Sequence, residues 1–169
     1  ARVSRRRFLS TTGTALAAPL IVPATVFGQG RPAPSNRITL ASIGWGMQGP
    51  GNTNAFLNLP ECQVVAVCDV DKNHLKSAAN TVNGKYGNQD CRTYEDYQEL
   101  LARKDIDTVM LALPDTWHAL VAVEAAQAKK DIYGEKPLAR TIAEQRAMVN
   151  AVQANQRVWQ TGSWQRSTA

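Results

Sequence analysis

Acidic residues are missing from the first sixty positions of this 169-residue sequence, where Glu61 is the first to appear. Five of its nineteen basic residues (Arg2, Arg5, Arg6, Arg7 and Arg31) precede Asn36, and from there on fourteen basic residues stand against fourteen acidic ones. The formal charge of +5 therefore belongs to the amino-terminal stretch, and the neutral remainder gives no net-charge argument for a nucleic-acid partner. The three cysteines, Cys62, Cys68 and Cys91, form no CxxC pair and have no histidine pair nearby, so no metal site is expected. Cys68, inside an apolar run, reads as a buried thiol. A Cys62–Cys91 disulfide requires neighbouring strands and is opposed by folding in a reducing compartment. Long uninterrupted apolar runs are also lacking. Ser10 to Phe27 is short for a membrane span and holds Pro19 and Pro23. With 44% hydrophobic and 20% charged residues the composition excludes disorder over the whole chain and suits one ordinary domain.

What the first stretch does hold is an address. Ser4-Arg5-Arg6-Arg7-Phe8-Leu9, the moderately apolar run behind it and Gly28 to Pro34 make a bacterial export signal, and the paired arginines before Phe-Leu resemble the twin-arginine type. A basic amphipathic or transmembrane helix is the competing reading. Cleavage after Ala24 and cleavage near Ser35 both stay open. The twin-arginine route carries folded proteins, which suits a chain that takes up a cytoplasmic cofactor before reaching the periplasm. Residues 1–36 are thus expected to be signal and linker, with no other membrane association.

Beyond the linker, strands and helices alternate. Arg37 to Ile43 is a β-rich run ending at glycines, and a helix-like pattern covers Asn54 to Leu59. Val64 to Asp69 reads as a parallel strand buried on both faces. Asp71 caps a helix to about Val82, closed by Asn83-Gly84. Asp90 to Thr93 is a weak strand, Tyr94 to Arg103 a helix, and Thr108 to Leu113 a strong strand closed by Pro114. Asp115 or Thr116 caps a helix through Lys130. Asp131 to Glu135 is the next strand, Thr141 caps a helix to Gln156, and Val158 to Thr161 begins a last strand. This alternation predicts an α/β fold, a doubly wound parallel sheet in the order 3-2-1-4-5-6.

Gly44-Trp45-Gly46-Met47-Gln48-Gly49 sits where such a fold binds a dinucleotide. Gly44 allows the tight turn, Gly46 removes a Cβ that would block a pyrophosphate, and Gly49 lets the helix pack closely. With Met47 and Gln48 inside the turn, these are the expected cofactor-binding residues at a helix amino terminus. Asp69, about twenty residues on, would accept hydrogen bonds from ribose hydroxyls and repel a 2′-phosphate. NAD is expected over NADP, although Asp71 or Lys72 could alter the preference. A lysine directly after a strand and before a proline, as in Gly134-Glu135-Lys136-Pro137, lies at the carboxyl edge where ligands of these folds bind, with its backbone kept from continuing as a helix.

Tyr94 to Tyr97, Asp105 to Val109, Pro114-Asp115-Thr116-Trp117-His118 and Glu135-Lys136-Pro137 together resemble the amino-terminal Rossmann domain of the Gfo/Idh/MocA oxidoreductases, over roughly residues 37–166. The resemblance implies an NAD(P)-dependent oxidoreductase in which Lys136 hydrogen-bonds the reacting hydroxyl and assists proton transfer. By the same resemblance Glu135 contacts the nicotinamide half, and Leu113 and Pro114 line its ribose. His118 lies near the same edge, either contacting ligand or capping and packing. Gln165 and Arg166 border nicotinamide and substrate, with Arg166 as a simple surface charge the alternative. The family's second domain is expected to begin after Arg166, at residues 167–169, so the chain is read as a fragment whose sugar or polyol substrate and homo-oligomeric contacts belong to the longer protein. The fragment alone is expected to bind NAD without completing hydride transfer. Two other readings stand: an NAD-dependent glycoside hydrolase of the same family, and a non-catalytic nucleotide-binding module.

Overall fold

The strand β1 (Ile38–Ile43) is buried from Leu40 onward and lies between β2 (Cys62–Cys68) and β4 (Thr108–Leu111), parallel to both. In this computed structural model, which describes residues 32–167, the sheet continues outward to β3 (Arg92–Tyr94) on one side and to β5 (Asp131–Gly134) and β6 (Trp159–Thr161) on the other. All pairs are parallel and the order is β3-β2-β1-β4-β5-β6, as the alternation predicts. The export signal expected before Asn36 falls almost wholly outside the described residues, and Thr168 and Ala169 lie outside them too.

Alternation along the strands explains why both faces are covered. Leu40, Val64 and Met110 point to a layer that includes Leu57, Leu75 and Val82. Their neighbours Ala41, Ile43, Val109 and Leu111 point to the opposite layer, with Leu100, Val121, Ala125 and Met148. Central strands buried on both sides carry apolar residues at nearly every position, and the buried exception in β1, Ser42, pairs its hydroxyl with that of Thr53 at 2.9 Å. The strand order reverses between β1 and β4, and the carboxyl ends of those strands therefore flank a crevice.

Helix boundaries differ from the sequence expectations for local reasons. Helix α1 (Gly49–Leu57) starts at the third glycine, ahead of Asn54, because its first turn carries glycine and proline in place of an apolar period. In α2 (Lys72–Tyr86) Asp71 caps as expected, accepting from the Asn73 and His74 N–H groups at 2.7 and 3.3 Å. Those two bonds hold its carboxyl below the usual range. The helix does not end at Asn83-Gly84. It runs to Gly87, whose φ of +68° supplies the left-handed cap, while the Asn83 side chain accepts from the Cys91 N–H at 3.0 Å.

Helix α3 (Tyr97–Leu101) is shorter than Tyr94–Arg103, since Tyr94 belongs to β3 and Asp96 is the cap. In α4 (Asp115–Gln127) neither Asp115 nor Thr116 caps; Pro114 occupies that position. The chain leaves the helix before Lys130 because Lys129 turns left-handed at φ 63°. Helix α5 (Ile142–Ala154) opens with a capping box between Thr141 and Glu144 and stops short of Gln156. All three cysteines are free, so no Cys62–Cys91 bridge forms. Burial pushes the Cys68 thiol up to about 12 and the Cys91 thiol to about 11.

Candidate functional site

The turn after β1 is set by backbone stereochemistry. Gly44 takes φ +94° and donates its N–H to the Cys68 carbonyl at 2.9 Å, closing the turn against β2. A Cβ at Gly44 would run into the Ala112 carbonyl, and one at Gly49 would run into the carbonyl of Gly44. The start of α1 is thereby pressed onto the turn, a closer approach than the helix–sheet packing expected of Gly49. At Gly46 a Cβ would meet nothing within 4 Å, so the space beside it is free for a ligand.

The N–H groups of Gly46, Met47 and Gln48 find no acceptor among the described residues. Gln48 holds the cap position of α1 without capping it, and its side chain instead donates to Asn52 Oδ1 at 3.4 Å. Met47 projects fully into solvent. An uncapped helix start with free donors and the positive end of the helix dipole suits a diphosphate.

Asp69 lies just past β2. Its carboxylate accepts from the Trp45 N–H at 2.6 Å and the Asp71 N–H at 2.9 Å, and it meets His74 Nδ1 at 3.3 Å. Asp69 thus ties the glycine turn to the cap of α2 while still lining the adjoining cleft of about 440 Å³. The cleft brings Gly44, Gly46, Asp69, Leu113 and Pro114 together, as the sequence reading requires. Val70, Tyr97 and Trp117 complete its largely apolar wall. Trp117, 49% exposed beside Pro114, is a natural wall for a planar base.

The second part of the site follows β5. Glu135 is only 5% exposed; its Oε1 accepts from Asn52 Nδ2 at 2.8 Å and its Oε2 from the Lys136 N–H at 3.2 Å. Lys136 is exposed, and the peptide bond to Pro137 is cis. His118 lies behind this loop at 1% exposure, with Nδ1 2.6 Å from the Pro137 carbonyl. A carbonyl only accepts, so Nδ1 carries the proton. The other ring nitrogen, Nε2, is buried without a partner.

His118 therefore supports the loop from within and does not reach the open face. Arg166 is exposed in a short 3-10 turn (Trp164–Ser167) and is not among the residues lining the cleft. Sequence reasoning missed Asn52, because α1 was not recognised before Asn54. A polar residue in the first turn behind the glycines was the available signal.

Residues 38–163 match the oxidoreductase family with an NAD-binding Rossmann fold, Gfo/Idh/MocA. The chain belongs to that family. It is 34% identical over 114 residues to an inositol 2-dehydrogenase of Salmonella typhimurium (strain LT2), covering 67% of this chain and 32% of that protein. It is 32% identical over 126 residues to a glycosyl hydrolase family 109 protein 2 of Shewanella sp. (strain ANA-3), covering 72% and 27%. The fold is shared with the WlbA dehydrogenase of Bordetella pertussis, solved in complex with NADH and UDP-GlcNAcA. The TM-score is 0.72 at 23% identity, over 79% of this chain and 38% of that one. The chain spans only about a third of the length of these proteins. NAD is the cofactor of this Rossmann domain, and the open glycine turn, free N–H groups and adjoining cleft fit it.

Proposed function

We propose that this chain carries the cofactor-binding part of an exported oxidoreductase that moves a hydride between NAD and a hydroxyl-bearing carbon of a sugar or polyol. The observation that carries the reading is the placement of Lys136. Its side chain is exposed at the carboxyl edge, while both of its neighbours are pinned from below, Glu135 by Asn52 and Pro137 by His118. An otherwise unneeded surface lysine would not require such support.

In this reading the N–H groups of Gly46, Met47 and Gln48 hold the diphosphate. Asp69 takes a ribose hydroxyl, which favours NAD over NADP because a 2′-phosphate would face its charge. Leu113 and Pro114 wall the nucleotide, and Glu135 meets its nicotinamide half. Bound NAD supplies the carbon that accepts or returns the hydride. Lys136 hydrogen-bonds the substrate oxygen and holds the proton exchanged as hydroxyl and carbonyl interconvert. His118 acts through the loop it supports, and Arg166 borders the substrate. The Salmonella relative, named for a cyclic polyol, supports the substrate class.

The name of the Shewanella relative favours a second reading, a glycoside hydrolase; in it the sugar would be oxidised transiently, the aglycone eliminated, water added across the resulting double bond and the sugar reduced again, with no net NADH. Offering the enzyme free polyols and nitrophenyl glycosides separates the two. Export by the twin-arginine route rests on Ser4 to Leu9, and replacing Arg5 and Arg6 by lysine is expected to stop periplasmic accumulation. Homo-oligomeric assembly of the enzyme rests on the family resemblance.

Calorimetric titration with NAD and NADP tests the core of the proposal. NAD is expected to bind more tightly. Binding of neither would overturn the cofactor role, and tighter NADP would overturn the part given to Asp69. In the enzyme, Lys136→Ala is expected to lower turnover roughly 100- to 10,000-fold with NAD affinity unchanged. Unchanged turnover would overturn the role given to Lys136, and NAD binding by a wild-type enzyme that turns over neither polyols nor glycosides would favour a non-catalytic nucleotide-binding module.

A further inference from the structure

The structure assigns Asn52 a role that rests on the reading above: it is a positioning residue that fastens the Lys136 loop to the nucleotide-binding helix. Asn52 lies in the first turn of α1, where its N–H donates to the Gln48 carbonyl at 3.2 Å and its Oδ1 meets the Gln48 amide at 3.4 Å. Its own amide reaches across to Glu135, eighty-three residues away, at 2.8 Å. The opposite oxygen of Glu135 holds the Lys136 N–H. A chain of hydrogen bonds, Gln48–Asn52–Glu135–Lys136, thus runs from the turn that takes the phosphates to the residue that meets the reacting oxygen.

Electrostatics makes Asn52 the critical member. Glu135 is buried, and no lysine or arginine forms an ion pair with it among the described residues. Its charge is felt nearby, since burial and then Glu135 push the Tyr133 phenol up. A buried carboxylate without a counter-ion needs hydrogen-bond donors. Two are seen, the Asn52 amide and the Lys136 backbone N–H. Loss of the amide would drive Glu135 toward solvent and take the Lys136 backbone with it. The carboxylate therefore serves the loop only while α1 supplies its partner.

Hydrogen–deuterium exchange on the 169-residue chain without ligand tests this directly. Asn52→Ala is expected to speed exchange of the Lys136 amide by about tenfold or more while β1 and β4 keep their protection. Unchanged Lys136 protection, or equal loss across β1 and β4, would overturn the role. A swap gives a second test should Asn52→Ala fail to fold. Asn52→Asp removes the donor and sets two carboxylates together, and adding Glu135→Gln restores a donor–acceptor pair with its direction reversed. The double variant is expected to recover Lys136 protection that Asn52→Asp loses, and absence of recovery overturns the proposal.

In the enzyme, Asn52→Ala should lower kcat about tenfold or more and leave the KM for NAD within about threefold, as misplacement of a reacting group does. A matching rise in KM with unchanged kcat would assign Asn52 to binding instead. Because the exchange experiment contains no NAD, failure of the wild-type chain to bind NAD would overturn the functional reading and leave this result to stand or fall separately.

Discussion

The two ends of the candidate site are built by different means. At the glycine turn the geometry is a matter of backbone: Gly44 at φ +94°, Gly49 against the Gly44 carbonyl, and Asp69 accepting the Trp45 N–H. At the Glu135–Lys136–Pro137 loop it is a matter of remote side chains, with Asn52 of α1 and His118 of α4 each holding one residue of the loop. A backbone-built site tolerates almost no added atom. A side-chain-built one tolerates shape changes but depends on its hydrogen-bond partners, above all where losing one leaves the buried Glu135 carboxylate short of a donor.

The largest effect is expected from Gly44→Ala, which combines a positive φ with a clash against the Ala112 carbonyl. A loss of about 2–5 kcal/mol in urea unfolding would follow from the strain and overpacking together. A loss under about 1 kcal/mol would break the claim that backbone stereochemistry governs this end. His118→Ala comes next. It removes a buried ring and strands the Pro137 carbonyl, and a cost of about 2–3 kcal/mol is expected by the same measurement. Full stability in that variant would mean the second end is not held from behind.

Gly46→Ala sharpens the contrast, because an added Cβ there meets no protein atom. Stability should stay within about 0.5 kcal/mol, while NAD affinity measured by calorimetry falls about tenfold or more, equivalent to about 1.4 kcal/mol. Unaltered affinity would show that the open space beside the turn is not where the cofactor lies.

The smallest effect concerns Cys68, which lines the cleft at the glycine-turn end. Its folded-state pKa is raised from 9.0 to about 12 by burial first and then by Asp69 and Asp96, so the neutral thiol is the form the fold favours. Its contribution to stability is full below pH 9 and is lost as pH rises toward about 12, with Cys91 adding the same trend up to about 11. Unfolding scans should therefore be insensitive to these thiols at neutral pH and show declining stability above pH 9. At pH 8 a thiol reagent is expected to modify Cys62 before Cys68, and early reaction of Cys68 would show that the glycine-turn end opens readily.

The unequal construction also explains what was legible. Strand order, the glycine turn, Asp69 and the carboxyl-edge position of Lys136 were readable, because each follows from a local pattern. Helix ends were less so. Gly84 looks like a stop signal, yet the helix continues through it, because Gly87 supplies the left-handed cap and the Asn83 side chain turns to the Cys91 N–H. For His118, neither its burial nor its bond to the Pro137 carbonyl could be read from its neighbours in sequence.

Sequence alone determined the doubly wound architecture and the cofactor turn of this chain, because hydrophobic period and glycine stereochemistry act over a few residues. Only the tertiary structure decided how the lysine loop is held. Asn52 and Glu135 are eighty-three residues apart and His118 and Pro137 nineteen, and a hydrogen bond between such residues exists only once the sheet has brought the carboxyl ends of its strands together.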